Sequence, residues 1–412
     1  MNASPLDARG ASVAVDAGMP TPAQGVGRSI GMVAGETSGD LLAAAVLRGM
    51  RARAPGMVAR GVGGPAMHQE GFERWWSTDD LSVRGYVEVL RAYPRLLRMR
   101  RQLGDRLLEW RPDVFVGVDA PDFNLDLEIR LRAAGVRTVH FISPSIWAWR
   151  RERIERIRQA VDHMLLVFPF EREIYAQAGI PATYVGHPLA DVIPLRADLQ
   201  GARARLGLES GRTTVALLPG SRPSEVHYMA RSFVETAAWM HARRGDLQFV
   251  LPAAGSALYA RLRAAIDAMD LPAGLRLTLI DGRSHDALAA ADTVLVASGT
   301  ASLESALFRK PMVIAYRMAW LSYRMMRRMG YLPWIGLPNI LANASLVPEF
   351  VQEAATPSAM GGALLAQLDD DAGREQLARR FEQMHLELRC DCATRAAEAL
   401  MELIDGHPTS PG

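Results

Sequence analysis

The segment from residue 293 to 315, TVLVASGTASLESALFRKPMVIA, constrains the fold more than any other part of the chain. A short apolar run is followed by a turn at Ser298, Gly299 and Thr300, then by a segment with helical periodicity and a second apolar run. Short apolar runs that alternate with helical segments are typical of parallel βαβ units. The segment therefore predicts strand, turn, helix and strand within a parallel sheet.

The turn in this segment has the properties of a phosphate site. Ser298 and Thr300 belong to the residue types that cap helices, and Gly299 lets a ligand approach the backbone. Unpaired N–H groups at a helix N-terminus attract anions. Glu304 lies one turn further on, where a carboxylate suits the two hydroxyls of a ribose. The turn predicts a nucleotide site, and the alternative is a capped helix with a surface glutamate.

The same alternation of strands and helices occurs in both halves of the chain. The first predicted strand begins at residue 29. Further strands are predicted at residues 113–118, 136–142, 163–167, 214–218, 248–252, 275–280 and 293–297. We predict an α/β protein with two doubly wound Rossmann-like domains that face each other across a cleft. The expected boundaries are a disordered extension over 1–27, domains over 28–192 and 193–380, and a C-terminal helix over 381–412 that packs toward the N-terminal lobe.

Composition limits the function classes. The chain has 412 residues, 49% of them apolar, which is enough for two cores, and its net charge of +2 does not suggest a nucleic acid partner. Cys390 and Cys392 are too close for an unstrained disulfide and too few for a structural zinc site. We expect no metal and no cofactor, and a reducing cytoplasm. Residues 1–27 lack the features of a signal peptide, and no apolar run is long enough to span a bilayer.

One basic amphipathic stretch suggests a membrane surface. Residues 83–110 combine apolar and aromatic residues with seven arginines. Arginine beside an apolar face suits an interfacial helix, because it meets anionic head groups while the apolar side chains enter the acyl region. The alternative is a helix pair whose apolar stripe faces the sheet. Residues 317–343, rich in Arg, Met and Trp, are a second candidate for lipid contact.

Three further turns carry candidate site residues. Asp119 follows the buried run 113–118, and active sites of open α/β sheets lie at the carboxyl ends of strands. Trp147 lies in a polar turn, where it predicts a wall for a sugar or an acyl group, with core filling as the alternative. Arg222, in the glycine turn after 214–218, can complement phosphate charge.

A family resemblance rests on motifs in a fixed order. They are AGETSGD at 34–40, GVGGPAM at 61–67, DAPDFN at 119–124, SPSIWAWR at 143–150, PFE at 169–171, VGHPL at 185–189, LLPGSR at 217–222, SGTASLE at 298–304, LPNILA at 337–342 and VPEF at 347–350. Together they resemble the lipid-A-disaccharide synthases, bacterial glycosyltransferases of the two-Rossmann-domain GT-B type (glycosyltransferase family 19).

The resemblance implies a reaction and partners. The reaction is inverting transfer of 2,3-diacylglucosamine from its UDP donor to 2,3-diacylglucosamine 1-phosphate (lipid X), which forms the β-1,6-linked tetraacyl disaccharide 1-phosphate and UDP. No metal or cofactor is implied. A cytoplasmic protein attached peripherally to the inner face of the inner membrane is expected, with a homodimer as one assembly to test.

The resemblance also implies site residues. The donor UDP would be held by Gly220, Ser221, Arg222, Ser298, Gly299, Thr300, Glu304, Asn339 and Glu349. Inversion requires direct attack by the acceptor hydroxyl, so a general base must face the cleft. Asp119 is the first choice for this base and His187 the second, with a structural histidine between the lobes as the alternative. Acceptor and lipid contacts are expected at Ser38, Asp40, Val87, Leu90, Leu97 and Trp147.

Two departures and three rivals complete the prediction. The 27-residue extension lies outside the family pattern, and arginine stands along 150–158 where family members commonly carry lysine. A UDP-N-acetylglucosamine 2-epimerase would share the nucleotide lobe but needs neither arginine-rich stretch. A non-catalytic nucleotide-sugar or lipid-binding module would not depend on Asp119. A dehydrogenase is disfavoured because neither Gly35 nor Gly63 begins a full G-x-G-x-x-G motif.

Overall fold

The computed structural model describes residues 28–81, 86–320, 323–324, 330 and 332–406, without the side chains of residues 37 and 86–92. The extension 1–27, which the sequence predicts to be disordered, lies outside these residues. So do the side chains of Val87 and Leu90, two of the predicted lipid contacts.

The first half of the chain forms a seven-stranded parallel sheet. Its strands are β1 (Ser29–Ala34), β2 (Val58–Gly63), β3 (Glu73–Ser77), β4 (Val114–Val118), β5 (Arg137–Phe141), β6 (His163–Leu166) and β7 (Ala182–Tyr184). Their spatial order is β3-β2-β1-β4-β5-β6-β7. The order changes direction between β1 and β4, and ligands of doubly wound sheets bind at such a switch point.

The second half forms a six-stranded parallel sheet. Its strands are β8 (Thr213–Leu218), β9 (Leu247–Ala253), β10 (Leu277–Asp281), β11 (Thr293–Ala297), β12 (Met312–Tyr316) and β13 (Glu349–Val351). Their order is β10-β9-β8-β11-β12-β13, so the switch point lies between β8 and β11. The turns at 220–222 and 298–300, which the sequence singled out, follow these two strands.

Helices cover both sheets. In the first half they are Thr37–Arg53, Pro65–Gln69, Thr78–Leu81, Tyr86–Trp110, Pro121–Ala133, Arg153–Ala160, Glu171–Gln177 and Pro188–Val192. In the second half they are Leu199–Leu206, Pro223–His241, Ser256–Asp267, Ser284–Ala290, Thr300–Leu307, Leu337–Ala342, Pro357–Asp369, Asp371–Leu388 and Cys392–Asp405, with a 3₁₀ turn at Gln352–Ala354. All residues of β4 and β11 are buried, as expected for parallel strands covered on both faces.

The chain crosses back to the first lobe at its C-terminal end. Helix Cys392–Asp405 packs on helix Thr37–Arg53, where a Cβ at Gly49 would lie 3.1 Å from the Cβ of Ala397. The Asp191 carboxylate accepts hydrogen bonds from the backbone N–H groups of Asp391 (3.0 Å) and Cys392 (2.7 Å). The start of this last helix is therefore fixed by a residue that follows the first sheet.

The prediction of two doubly wound Rossmann-like domains is confirmed. Residues 86–110 form one helix rather than a pair, with Pro94 inside it. The short edge strands β3 and β13 were not predicted, because three to five partly exposed residues carry little periodicity. Over the described parts of the chain, no helix is both long and apolar enough to cross a membrane.

Candidate active site

The turn after β4 is strained and tightly held. Asp119 and Ala120 have φ angles of 53° and 46°, in the left-handed region that costs L-residues about 1–2 kcal/mol each. The Asp119 N–H donates to the Phe141 carbonyl at 2.9 Å, and the Asn124 Nδ2 amide donates to the Asp119 carbonyl at 2.7 Å. Strained backbone that its surroundings fix in this way is concentrated at functional sites. The structure thus puts Asp119 at the switch-point edge of the sheet, where the sequence predicted a catalytic group.

The turn after β1 touches this strained turn. A Cβ at Gly35 would lie 2.5 Å from the Cβ of Ala120, so only glycine allows the approach. The contact brings the 34–40 motif to the same edge as Asp119. Ser38, a predicted acceptor contact, is exposed at this edge.

Asp40 has a different environment from the one predicted. Its carboxylate is buried and accepts hydrogen bonds from the N–H groups of Gly64 (2.8 Å), Ala66 (2.9 Å) and Met67 (3.1 Å). Asp40 therefore caps helix Pro65–Gln69 and ties the first turn of the lobe to the second. This geometry favours a positioning role over direct contact with an acceptor.

His187, the second candidate for the base, is buried at the junction of the lobes. Its Nδ1 accepts a hydrogen bond from the Leu189 N–H at 3.2 Å, and its ring packs against Phe168 with 5.3 Å between centroids. Burial lowers the pKa of His187 to about 4. A neutral imidazole with Nδ1 occupied presents Nε2 as an N–H donor, which favours Asp119 as the base.

The tryptophan turn divides its two indoles between the core and the surface. Trp147 is only 8% exposed and donates from Nε1 to Glu171 Oε1 at 3.2 Å. The prediction that Trp147 forms a ligand wall is therefore corrected: it fills the core. Trp149 is 39% exposed, and its indole lies under the Arg150 guanidinium, 4.4 Å from the ring centroid. The backbone of Trp149 forms an isolated antiparallel β-bridge with Gly330 of the second half of the chain. The exposed indole at the junction of the lobes is that of Trp149.

The glycine turn after β8 is held from within. Gly220 has a φ of 123°, and the N–H groups of Ser221 and Arg222 donate to Glu225 Oε2 at 3.0 and 3.2 Å. Glu225, at the third position of helix Pro223–His241, thus accepts from the backbone N–H of the N-cap residue Arg222 and holds the start of the helix. The Arg222 side chain donates from Nη1 to Glu225 Oε1 at 3.2 Å, but it is 73% exposed, so its other N–H donors can meet an anionic ligand. Glu225 was missed, because its N-cap partner is an arginine, which has no acceptor atom, and the spacing therefore does not match the usual capping-box pattern.

The turn after β11 differs in its cap. Gly299, at φ 139°, is the N-cap of helix Thr300–Leu307, and no side chain caps it. The expectation that Ser298 or Thr300 caps the helix is wrong, because Ser298 Oγ donates to the Ile335 carbonyl at 2.7 Å instead. Among the residues that the structure describes, no atom other than those of its two chain neighbours lies within 4 Å of a Cβ built at Gly299. The helix N-terminus is therefore open toward an anion.

Glu304 lies below this N-terminus. Its side chain is 18% exposed, and its Oε2 is 3.9 Å from His285 Nε2. Burial raises the pKa of Glu304 to about 7. A carboxylate with so little water around it gains from hydroxyl donors such as those of a ribose.

Asn339 and Glu349 form an internal network. The Asn339 amide donates to the Val347 carbonyl (2.9 Å) and to Glu349 Oε1 (2.8 Å), and its Oδ1 accepts from two backbone N–H groups. Glu349 also accepts from the N–H groups of Ile335 (2.8 Å) and Gly336 (3.0 Å). These bonds occupy the Asn339 side chain, so the geometry favours positioning of the 335–349 loop over direct contact with UDP.

Two further features lie on the surface, the predicted lipid contact Leu97 and the helix cap Asp370. Leu97 is 38% exposed and Tyr93 56% exposed on helix Tyr86–Trp110. Asp370 accepts from the Gly373 N–H at 2.9 Å and caps helix Asp371–Leu388. Within the described residues, no cluster of three His, Cys, Asp or Glu side chains could hold a metal ion.

Two Rossmann-like domains with switch-point turns of this kind define the GT-B class of glycosyltransferase fold. Solved structures agree: the chain aligns with the glycosyltransferase of kitacinnamycin at a TM-score of 0.60 and 18% identity, covering 91% of this chain and 98% of that one. It also aligns with a UDP-GlcNAc 2-epimerase from Neisseria meningitidis bound to UDP-GlcNAc, at a TM-score of 0.57 and 9% identity, covering 92% and 99%. Identities this low show the fold alone.

The family is shown by sequence. A family model described as lipid-A-disaccharide synthetase matches residues 30–400. The lipid-A-disaccharide synthase of Thiobacillus denitrificans is 54% identical over 91% of this chain and 99% of its own length. That of Albidiferax ferrireducens is 50% identical over 92% and 97%. The chain belongs to the lipid-A-disaccharide synthase family and is a glycosyltransferase.

Proposed function

We propose that the chain transfers 2,3-diacylglucosamine from its UDP donor to the 6-hydroxyl of 2,3-diacylglucosamine 1-phosphate with inversion, giving the β-1,6-linked tetraacyl disaccharide 1-phosphate and UDP. Family membership supports the reaction class. The chain has two sites at switch points, which supports a transfer between two substrates. The first contains the strained Asp119 turn, and the second is a helix N-terminus that is open to an anion.

The second lobe would bind the donor. The diphosphate would lie against the open N-terminus of helix Thr300–Leu307 and near the Arg222 guanidinium, while Glu304 accepts hydrogen bonds from the ribose. The helix dipole and the arginine stabilise the charge that develops on departing UDP, which replaces the work of a metal ion. Asn339 and Glu349 would hold the neighbouring loop in place.

The first lobe would supply the base. The acceptor oxygen attacks the anomeric carbon as the bond from that carbon to the diphosphate oxygen breaks. The hydroxyl proton passes to the Asp119 carboxylate. His187 is neutral near pH 7 because burial lowers its pKa to about 4, and it offers a hydrogen bond rather than a basic nitrogen.

The observation that carries the proposal is the strained Asp119 turn at the switch point. It is tested by Asp119→Asn, which keeps the side-chain shape and removes the basic oxygen. Turnover is expected to be lost while UDP affinity is kept. Loss of UDP affinity in this variant would remove Asp119 from the base role.

We also propose that the chain works on the cytoplasmic side, on the inner face of the inner membrane. The exposed Tyr93 and Leu97 on an arginine-rich helix support this. Leu97→Ser should lower sedimentation with anionic liposomes. Leu386→Ser is the matched control, since Leu386 is also exposed but lies on helix Asp371–Leu388. Equal binding by both variants would contradict the assignment of this surface. The homodimer remains a prediction, which a measurement of molar mass by light scattering would test.

A further inference from the structure

A closed polar cluster lies below the Asp119 turn. It consists of Asn124 and Glu128 on helix Pro121–Ala133 and His140 on β5, all three fully buried. His140 Nδ1 and Glu128 Oε1 share a hydrogen bond of 2.7 Å. Sequence reasoning missed both residues, because a glutamate in a helix and a histidine in a strand carry no distinctive spacing.

Three polar atoms of this cluster are open. Asn124 Oδ1, Glu128 Oε2 and His140 Nε2 have no hydrogen-bond partner among the described residues. Buried polar atoms are almost always paired, since an unpaired one costs about 1–3 kcal/mol. A cluster that leaves three atoms open lowers stability, so its presence points to a role in the reaction.

The neighbouring strand makes room for the cluster. A Cβ at Gly117 in β4 would lie 2.1 Å from Glu128 Oε1 and 2.9 Å from the Cβ of Asn124. Gly117 is also the partner of His140 in the β4–β5 pairing. Asn124 and Glu128 are four residues apart, on one face of their helix. The buried strand therefore lacks a side chain at the point where a carboxylate and an amide enter.

The cluster holds the strained turn from two sides. Asn124 Nδ2 donates to the Asp119 carbonyl at 2.7 Å. The Asp119 N–H donates to the carbonyl of Phe141, the residue next to His140 on β5. A displacement of Glu128 or His140 would therefore be passed to the backbone that carries the Asp119 carboxylate.

The pair also responds to the charge of Asp119. Burial raises the pKa of Glu128. Burial opposes the charged form of His140, but the Glu128 carboxylate and its hydrogen bond, with a contribution from Asp119, raise the pKa of His140 overall. Protonation of Asp119 would remove this contribution and therefore lower the pKa of His140. Glu128 Oε2 and His140 Nε2 have no hydrogen-bond partner among the described residues. The pair is therefore not held in one protonation state.

We propose that Glu128 and His140 are positioning residues for glycosyl transfer: the pair fixes β5 beside Phe141, whose carbonyl accepts from the Asp119 N–H, and together with Asn124 it orients the Asp119 carboxylate toward the acceptor hydroxyl. This inference rests on the proposed role of Asp119 as the general base. Neither residue touches substrate, since both are closed off from the surface.

The test compares Glu128→Gln and His140→Gln with a matched control. The control is His163→Gln, which changes a second buried histidine on the adjacent strand β6, where His163 Nε2 is bonded to Thr183 Oγ1 at 2.8 Å. In the two test variants, kcat should fall on the order of 10- to 100-fold while both KM values stay within about two-fold. UDP affinity should not change. The control should keep native kcat.

Further variants separate positioning from stability. The double variant Glu128→Gln with His140→Gln should lose no more kcat than the worse single variant, because the two residues act as one unit. Asn124→Ala leaves the pair intact and removes only the bond to the Asp119 carbonyl, and it should show the same loss of kcat. This variant keeps the test decisive if a change in the pair prevents folding.

Several outcomes would overturn the inference. Native kcat in Glu128→Gln and His140→Gln would do so, as would an equal loss in His163→Gln. If these variants turn over at the native rate while Asp119→Asn is inactive, only the positioning role fails. If Asp119→Asn itself is fully active, the base assignment fails and the inference falls with it.

Discussion

Asn339 donates from Nδ2 to Glu349 Oε1 at 2.8 Å, and this bond links the start of helix Leu337–Ala342 to the edge strand β13. Glu349 also accepts from the N–H of Ile335, whose carbonyl accepts from Ser298 Oγ. These hydrogen bonds between protein groups thus connect Asn339 and Glu349 to the turn at Ser298, which we propose for the donor diphosphate.

Glu349→Ala should weaken UDP binding indirectly. The substitution removes the acceptor of the Ile335 and Gly336 N–H groups and of the Asn339 amide. Partly buried groups left without partners cost about 1–3 kcal/mol, so both thermal stability and UDP affinity should fall. Calorimetry with UDP and a thermal melt measure the two effects. Lost affinity at native stability would instead indicate direct contact with UDP.

Glu304 should make UDP binding depend on pH. Its pKa is raised to about 7 by burial, and its charged form accepts hydrogen bonds from ribose better than its neutral form. Affinity should therefore rise as pH increases from about 6 to about 8. Glu304→Gln should bind more weakly at the higher pH and lose this dependence. Ionisation of UDP is common to both proteins, so the difference between their titrations reports Glu304. Parallel titration curves would contradict its contact with the nucleotide.

Arg222→Ala should reduce kcat by roughly 10- to 1000-fold, because it removes a cation from the departing diphosphate. Arg231→Ala is the matched control. Arg231 is an exposed arginine on the same helix, Pro223–His241, where it pairs with Glu235. Steady-state kinetics on both variants decide the matter. A native kcat in Arg222→Ala, or an equal loss in Arg231→Ala, would exclude the proposed role of Arg222.

Glu171 should make stability fall as pH rises. Burial raises its pKa in the folded chain to about 8, while an unfolded glutamate keeps the ordinary value of 4.5. Between these values the folded state binds a proton that the unfolded state lacks, so the stability it contributes is full below the unfolded pKa and is lost as pH increases through about 8. The loss should be on the order of a few kcal/mol. Thermal melts of Glu171→Gln should show a weaker decline than the native chain, and an identical decline would refute this account.

The sequence predicted the sheets because buried parallel strands have a direct signal. The run 114–118 is wholly apolar and lies in the middle of the sheet, so both its position and the place of Asp119 at its end could be read. Turn conformation could not be read in the same way. Neither Asp119 nor Ala120 is glycine, and their left-handed geometry depends on Asn124 and on the approach of Gly35.

Side-chain burial within turns was the other limit. Two tryptophans, Trp147 and Trp149, share one motif, and only the position of Glu171, 24 residues further along the chain, decides that Trp147 is the buried one. Likewise, Asn339 and Glu349 fit a polar ligand by residue type alone. Their partners are backbone groups brought together by folding, which no local pattern predicts.

The most direct test of the proposed function is UDP release from UDP-2,3-diacylglucosamine, measured with and without 2,3-diacylglucosamine 1-phosphate, with the product identified by mass. We expect release that depends on the acceptor, a tetraacyl disaccharide 1-phosphate as product, and no turnover in Asp119→Asn. The absence of UDP release with these substrates, together with turnover of plain UDP-N-acetylglucosamine, would contradict the proposed acceptor site. Only the assignment of the nucleotide site would then remain supported.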